Sequence, residues 1–406
     1  MRPETYIAQR LYFMSNDQHR TSRPAVRVAL AGITIGMLVM VITICVVVGF
    51  KQTIMDKMAG FGAHIQVVNF DSNNTYEMEP IAMPDSMLQA LQALPHVRSA
   101  QRFWTKPGIV KTDSAFQGVV LKGTDYWDYF RANLVTGTLP QQENEVLLSQ
   151  SVCRLLHLGI DDSFLCYFVG EQVRVRKFRI VGIYETGFKE YDELFMVGLP
   201  KAITRLNGWT EYQSSGVEVL VDDRQHISEV ADAVYFKTAN RLDEEGNAFY
   251  TQTLEQMNIQ IFSWLDLLDM NVLVIIILML CVSGFNIVSG LIILILDSVR
   301  LIGTLKALGA DNLFIRRIFI TQAAMLIGKG MVLGNVLGLG LCALQYFTHC
   351  LPLEASSYYV SYVPVAFPWL GWIALNLGTM AVSLLILLVP SAIISHISPA
   401  QVMHFE

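Results

Sequence analysis

The residues best suited to binding a partner lie in one short stretch, VRLIGTLKALGADNLFIRRIF, at positions 299 to 319. The stretch carries four cationic side chains and lies between two strongly apolar segments. Leu301, Leu305 and Leu308 recur at helical spacing, which predicts a helix of about three turns with one apolar face. Gly309 suits the left-handed residue that follows a helix end. The pattern predicts either a membrane-surface loop with snorkelling cations or a docking helix for a cytoplasmic subunit.

Catalytic chemistry is not indicated by any motif in the sequence. The chain lacks the Walker A phosphate loop, the HExxH zinc motif and the Gly-x-Ser-x-Gly nucleophile turn. Its six cysteines show no zinc-type spacing. We therefore expect a chain that is not an enzyme by itself and that binds no metal, cofactor or nucleic acid. If the protein uses ATP, another chain binds it.

The elements that must position the 299–319 stretch are four long apolar segments. A composition of 53% hydrophobic and only 16% charged residues is unlike that of a soluble protein. Each segment is long enough, as a helix, to cross a hydrocarbon core of about 30 Å. The predicted spans are residues 28–50, 270–296, 318–347 and 366–394. The first follows 27 mixed residues without a cleavage site, so we interpret it as a retained signal anchor.

Charge predicts how the spans are oriented. Residues 1–27, which are either an amphipathic segment on the membrane surface or a polar leader, carry five Arg against two acids. The loop 297–317 carries four Lys and Arg against two acids. The segment 51–269 carries 19 Lys and Arg against 29 Asp and Glu. Because positive charge marks the cytoplasmic side, we expect both termini, including the tail 395–406, and the loop 297–317 in the cytoplasm. The segment 51–269 and the loop 348–365 are then external.

The external segment 51–269 has the alternating pattern of a compact α/β domain. The predicted strands are 64–70, 116–123, 194–197 and 216–221, and the predicted helices are 84–95, 199–207 and 226–239. Residues 144–159 predict a strand and then a helix that Gly159 ends, and residues 163–187 predict a hairpin that turns at Gly170-Glu171. Residues 254–271 predict a helix that runs directly into the second span, as a stalk or a transmitting element.

The two cysteines of this domain, Cys153 and Cys166, are either free thiols or a disulfide, since two cysteines do not make a framework. Inside the third span, Gly330, Gly334 and Gly338 recur at four-residue spacing, which predicts the close approach of another helix. Asn286, Asn335 and Asn376 also lie inside spans. Each of these amides needs a hydrogen-bond partner in hydrocarbon.

Lys329 falls near the middle of the third span, where a lysine costs about 2.5 to 3.5 kcal/mol. It either has a role, such as binding helix-end carbonyls, a wet cavity or a partner subunit, or it is tolerated by snorkelling.

The sequence resembles the FtsX-like permeases of ABC transporters, in particular the lipoprotein-releasing LolC/LolE type. The resemblance covers nearly the whole chain. It is carried by GITIGMLVMVITICVVVGFKQTI (32–54), FRIVGIYETGFKEYDELFMV (178–197) and ISPAQVMHFE (397–406). After the second span the matching residues are Ile302, Leu305, Leu308, Gly309, Ala310, Ile315, Ile318 and Phe319.

This resemblance implies a polytopic α-helical protein of the bacterial inner membrane, with four transmembrane helices and a MacB-like α/β periplasmic domain between the first and second. It implies a coupling helix that contacts a cytoplasmic ABC ATPase, in which ATP and Mg are bound. The residues assigned to that coupling are Arg300, Ile302, Leu305, Lys306, Leu308 and Gly309. The other implied partners are a second permease, either a paralogue or a copy of this chain, a lipoprotein substrate and a periplasmic carrier.

The resemblance also implies a cavity for acyl chains between the first and second spans of two facing permeases. Met37, Met40 and Phe50 are candidates to line it, or else ordinary packing residues. LolC-type permeases carry an extended external hook, whereas this chain has only a tight turn at Gly170-Glu171. The alternatives are a MacB-like mechanotransmission permease for efflux and an FtsX-like regulator of a cell-wall hydrolase.

Overall fold

The computed structural model describes residues 22–391 except 73–75, 113–114, 171 and 355–357. Residues 1–21 of the predicted amphipathic segment lie outside the described residues. Glu171 and the predicted cytoplasmic tail 395–406 lie outside them as well. The chain forms two compact units. A membrane unit comprises Met1–Gln52, Trp264–Leu351 and Val363–Glu406, and an α/β unit comprises Thr53–Ser263 and Pro352–Tyr362.

The helices in the described part of the chain include four long ones and eight shorter ones. In chain order they are α1 (Ser22–Gly62), α2 (Asp85–Gln92), α3 (Asp128–Ala132), α4 (Gln150–Leu156), α5 (Lys189–Leu194), α6 (Pro200–Asn207), α7 (Ile227–Thr238), α8 (Leu254–Met257), α9 (Ile259–Asp297), α10 (Val299–Ala307), α11 (Asn312–Thr348) and α12 (Trp369–Ser391). A 3-10 turn, Arg224–His226, precedes α7.

The strands all belong to the α/β unit. They are β1 (Ile65–Asn69), β2 (Val97–Lys111), β3 (Phe116–Thr124), β4 (Leu134–Gly137), β5 (Glu145–Ser149), β6 (Ser163–Phe168), β7 (Arg174–Tyr184), β8 (Phe195–Gly198), β9 (Gly216–Val221) and β10 (Phe249–Thr253).

Four of the described helices, α1, α9, α11 and α12, are long and apolar enough to cross a membrane. This confirms the four predicted spans. Three of these helices are longer than the predicted spans, with 41 residues in α1, 39 in α9 and 37 in α11. The prediction of one unbroken helix from residue 254 into the second span is wrong at its first turn. Asn258 leaves the helical region and separates α8, which Thr253 and Gln256 close with a capping box, from α9.

The glycine stripe of α11 packs directly on α1. A methyl group placed at Gly334 would lie 2.6 Å from Cβ of Met37, and one at Gly330 would lie 2.7 Å from Cγ2 of Ile33. A methyl group placed at Gly338 would lie 3.1 Å from Cβ of Val41. The partner of the stripe is therefore α1 of the same chain, and the absence of side chains lets the two backbones approach closely.

Two of the intramembrane asparagines satisfy each other. The Asn335 amide donates to Oδ1 of Asn376 at 2.7 Å, while the Asn335 carbonyl oxygen accepts a bond from the Trp372 indole at 2.6 Å. Each amide also donates to the carbonyl four residues earlier in its own helix. The network joins α11 to α12 and supplies the partners that hydrocarbon cannot.

A ten-stranded sheet forms the centre of the α/β unit. Its main order is β10-β1-β9-β2-β3-β8-β5-β7-β4, with β6 paired to β2 and β7. The pairs β3·β8 and β5·β7 are parallel, and the other pairs are antiparallel. The hairpin β6–β7 runs from Ser163↔Arg179 to Phe168↔Arg174, so its connection is short, as predicted.

Most of the predicted elements of this unit are present, with local corrections. His157, at φ 55°, ends α4 in place of the predicted Gly159. The 15-residue strand β2 was not predicted. Cys153 and Cys166 are free and buried, and burial raises the pKa of the Cys153 thiol to about 11 and that of Cys166 to about 12. The free-thiol alternative therefore describes this structure.

We expect Gly334→Ala to destabilise the membrane unit. Its new methyl group overlaps Met37 and the carbonyl of Thr34, and overpacking costs about 1 to 3 kcal/mol. Gly340→Ala is the matched control, because a methyl group there meets no described atom within 4 Å. Thermal unfolding of the full chain in detergent should show a lower midpoint for the first variant only. Equal midpoints for the two variants would contradict the packing described above.

We also expect the α/β unit to lose stability as the pH falls from 6.5 to about 4, because His64 titrates differently in the folded and unfolded chains. Burial, aided by Arg224 and opposed by Asp56, lowers the pKa of His64 from 6.5 to about 4. Its Nδ1 accepts a bond from the Val221 amide, which requires that nitrogen to be unprotonated. Between these two pKa values the unfolded chain binds a proton that the folded chain does not, so stability declines on acidification.

At pH 5 the free energy of unfolding is lower than at neutral pH by about 2 kcal/mol because of this residue. His64→Asn keeps an acceptor near the Nδ1 position and cannot titrate. Its unfolding midpoint should therefore fall less between pH 7.5 and pH 5 than that of the unmodified chain. If both proteins show the same pH dependence, His64 is not a source of it.

Candidate functional site

The helix that follows the second span, α10, is positioned by well-defined ends. It begins after Ser298 and ends at Ala307, and Gly309 then takes a left-handed conformation at φ 88°. The amides of Gly309 and Ala310 donate back to the carbonyls of Lys306 and Leu305, at 3.0 and 2.9 Å. This reversal satisfies the carbonyls of the last turn and turns the chain into α11, as the sequence predicted for Gly309.

The two faces of α10 differ sharply. Ile302 is completely buried, and Leu305 is half-buried against the same apolar cluster. On the opposite face Arg300 and Thr304 are exposed, and Leu308 is 80% exposed. The predicted apolar face containing both Leu305 and Leu308 is therefore wrong, because the buried face is centred on Ile302. The surface open to a partner includes Arg300, Thr304, Ala307, Leu308 and Gly309, with Lys306 half-buried at its edge.

The buried face of α10 is continuous with the core of the spans. Ile302 belongs to one apolar cluster with Ile315 and Phe319 of α11 and with Met37 and Met40 of α1. A force on α10 therefore reaches α1 and α11 through close-packed side chains, since such cores deform little. Met37 and Met40, candidates for either the acyl-chain cavity or ordinary packing, belong to the same cluster. Both are fully buried in it, so in this structure they are packing residues.

Phe50 lies elsewhere, at a second junction between α1 and α9. Its ring packs edge-on against Trp264, with centroids 5.8 Å apart. The next residue, Lys51, pairs with Asp269 at 2.6 Å and with Asp266 at 3.5 Å. These contacts hold the first and second spans side by side where their apolar segments end. Lys329 is exposed on α11, next to the glycine stripe but not on its packed face.

In the α/β unit, Lys57 of α1 joins two distant segments of the chain. Its ammonium group donates to the carbonyl of Gly187 at 3.0 Å and to that of Tyr359 at 3.4 Å. Phe188 stacks on the Tyr359 ring at 5.2 Å. The Asp192 carboxylate orders the loop 186–188 by accepting hydrogen bonds from Thr186 and from the amide of Gly187. Burial raises the pKa of this carboxyl. Tyr359, from the segment between α11 and α12, is thereby tied to α1 and to the loop that follows β7.

A cavity of about 150 Å³ opens beside the middle of the sheet. Its polar wall is the ion pair between Lys122 and Glu218, at 2.6 Å, and Lys122 is almost completely buried. The ammonium group also lies over the rings of Phe61 and Phe103, at 5.0 and 5.7 Å from their centroids. A buried lysine is tolerated here because a carboxylate, a carbonyl of Phe61 and two aromatic faces surround it.

One side-chain cluster escaped the sequence analysis completely. His96, Asp222 and His226 offer donor atoms that all lie within 4.8 Å of one another. Their positions in the chain follow no ligand spacing, because pairing between β2 and β9 brings them together. The expectation of no metal site was based on spacing alone and does not take this cluster into account.

Two family models agree with this architecture. Residues 28–234 match the model of the MacB-like periplasmic core domain, and residues 273–399 match that of the FtsX-like permease C-terminal region. The periplasmic region of MacB from Actinobacillus actinomycetemcomitans, a solved structure, covers 50% of this chain and 95% of its own, with a TM-score of 0.33 and 12% identity.

Curated relatives match over nearly the full length. The lipoprotein-releasing system transmembrane protein LolC of Xylella fastidiosa is 23% identical over 403 residues, which cover 93% of each chain. The corresponding LolE protein of Haemophilus influenzae is 23% identical over 402 residues and 92% of each chain. The chain therefore belongs to the FtsX-like ABC transporter permeases with a MacB-like periplasmic core domain, and it is a multi-pass inner-membrane protein of the LolC/LolE type.

Proposed function

We propose that this chain is the permease subunit of an ABC transporter that releases lipoproteins from the inner membrane toward a periplasmic carrier. A separate cytoplasmic subunit binds ATP and Mg and hydrolyses the ATP, and this chain is not itself an enzyme. The permease works with a second permease, a paralogue or a copy of itself. The full-length similarity to LolC and LolE proteins supports the lipoprotein substrate.

The observation that carries the proposal is the division of α10 into two faces. Its buried face, centred on Ile302, is part of the core that packs α1 against α11. Its outer face presents an exposed leucine, Leu308, beside exposed polar groups. An exposed apolar residue on a short helix suits docking into a groove of another subunit. Movement of the docked subunit then shifts the spans, because Ile302 packs α10 against α1 and α11.

The length of the β6–β7 connection bears on how the substrate is passed on. Five residues separate the paired positions Phe168 and Arg174. A connection this short does not form an extended hook, so in this proposal the carrier is captured by the partner permease or by another surface. The same feature favours a second candidate, a MacB-like efflux permease that needs no soluble carrier.

The first test separates the two faces of α10. Leu308→Asp should reduce the ATPase subunit that copurifies with the permease by roughly tenfold or more, since it places a charge in the docking surface. Its thermal stability should not change, because Leu308 is exposed. Ile302→Ala should instead destabilise the permease itself by about 2 to 5 kcal/mol, since it leaves a cavity in the core.

Leu242→Asp, at an exposed site in the α/β unit, is the matched control and should affect neither measurement. If the ATPase copurifies normally with the Leu308→Asp variant, the outer face of α10 is not the docking surface.

The second test addresses the substrate. The permease is reconstituted in liposomes with its ATPase, its partner permease and a triacylated lipoprotein, and the lipoprotein is measured in the soluble fraction after addition of the carrier. We expect release that requires ATP hydrolysis and fails with the Leu308→Asp variant. Hydrolysis without release, with a carrier and partner verified in parallel, would favour the efflux candidate.

A further inference from the structure

The cluster of His96, Asp222 and His226 is assembled by the pairing of two strands and the turn that follows. His96 immediately precedes β2 and Asp222 immediately follows β9, and the two strands pair at Val97↔Val221. The amide of Asp222 donates to the carbonyl of His96 at 3.0 Å, so the strand pairing continues to these residues. His226 closes the 3-10 turn that starts α7. The positions of all three residues are therefore fixed by backbone structure.

The side chains converge on a small volume. Nδ1 of His96 lies 3.4 Å from Oδ2 of Asp222. The rings of His96 and His226 are stacked, with centroids 3.6 Å apart and planes 2° apart. The other carboxylate oxygen of Asp222 accepts from the amide of Asp223 at 2.6 Å, which orients the carboxylate. Two imidazoles and an oriented carboxylate thus share one corner of the domain.

His226 supplies a second and independent observation. Its Nδ1 is buried and has no hydrogen-bond partner among the described residues. Leaving such a group unpaired costs about 1 to 3 kcal/mol, so an unpaired buried nitrogen calls for an explanation. A cation that takes up the lone pair of this nitrogen provides one. The neighbouring cation, Arg224, pairs with Asp56.

We infer that His96, Asp222 and His226 form a binding site for a late transition-metal ion, Zn²⁺ or Cu²⁺. Imidazole nitrogen with one carboxylate is a ligand set for these ions, whereas Ca²⁺ and Mg²⁺ require mostly oxygen ligands. Donor atoms around a tetrahedral Zn²⁺ ion are separated by about 3.4 Å, given bonds of about 2.0 to 2.2 Å. The donors here lie within 4.8 Å, so binding needs only a small rearrangement.

That rearrangement is specific. Two imidazoles on one ion point their nitrogens inward and their rings apart, so the stacked rings have to fan open. His96 is exposed whereas His226 is half-buried, so the His96 ring is the one that turns. The three protein ligands leave at least one position open for water or a further ligand. The bound ion links the start of β2, the end of β9 and the start of α7.

The experiment uses the full-length chain in detergent, purified through a tag without histidines. Cu²⁺ is added at one equivalent, and the electron paramagnetic resonance spectrum is recorded. The expected spectrum shows hyperfine coupling to two nitrogens. His96→Asn, which suits the left-handed backbone of His96 at φ 63°, and His226→Gln should each remove one nitrogen from the pattern. Asp222→Asn should keep both nitrogens.

Zn²⁺ affinity is measured in parallel by competition with a chromogenic chelator. One ion per chain is expected, and each of the two histidine substitutions should weaken binding by more than the roughly tenfold loss caused by removing an outer-shell partner. His157→Asn, at an exposed histidine elsewhere in the unit that also has a left-handed backbone, is the matched control and should bind like the unmodified chain. Thermal unfolding without metal verifies that each variant is folded.

The inference is overturned if the substitutions at His96 and His226 leave both the spectrum and the Zn²⁺ affinity unchanged. It is equally overturned if His157→Asn causes the same loss, because the ion would then bind scattered surface histidines. None of these outcomes depends on transport activity, so the inference stands or falls separately from the proposed function.

Discussion

The close approach of α11 to α1 is the contact on which the rest of the membrane unit depends. Hydrocarbon gives no hydrophobic driving force for helix association, so the helices are held by close packing and by internal hydrogen bonds. Gly330, Gly334 and Gly338 provide the packing, because their missing side chains make room for Ile33, Met37 and Val41. The amide network of Asn335 and Asn376 then fixes α12 on another side of α11. Three spans are thereby held in one arrangement.

The short helix α10 gains its significance from this arrangement. It is only nine residues long, and a helix of that length is marginal by itself in water. Burial of Ile302 in the core made by α1 and α11 holds it in place. The same burial leaves the opposite side free for a partner. In the proposed function, the exposed Leu308, which directly follows the helix, binds the partner, and the buried Ile302 connects the helix to the spans.

The α/β unit obtains its order from a different source, a continuous sheet with few unpaired interior groups. Two of its buried charged residues, Lys122 and Asp192, are informative. Lys122 is matched by Glu218 and aromatic faces, and Asp192 accepts from the backbone and hydroxyl groups of its own loop. Lys122 joins segments that are distant in the chain, whereas Asp192 orders its own loop. Around Lys57, the last part of α1, the loop at Gly187 and the segment before α12 meet through carbonyl bonds that carry no sequence signature.

The sequence by itself determined the four spans, the α/β class of the domain and the positions of most strands and helices. Length, hydropathy and periodicity are local properties, and burial in lipid or in a core selects them directly. It missed β2, because Pro107 and Gly108 are typical of turns, although the strand pairs along Phe103↔Thr124 to Lys111↔Phe116. It also misjudged the break at Asn258 and the orientation of Leu308.

Only the tertiary structure decided which face of α10 is buried, since Leu305 and Leu308 are equally apolar and the distinction depends on where α1 and α11 lie. The tertiary structure also decided that the glycine stripe meets α1 and that His96 lies beside His226, 130 positions later in the numbering. Such relations depend on strand pairing and helix contact between distant segments. A single sequence contains the residues for them but not the register that brings them together.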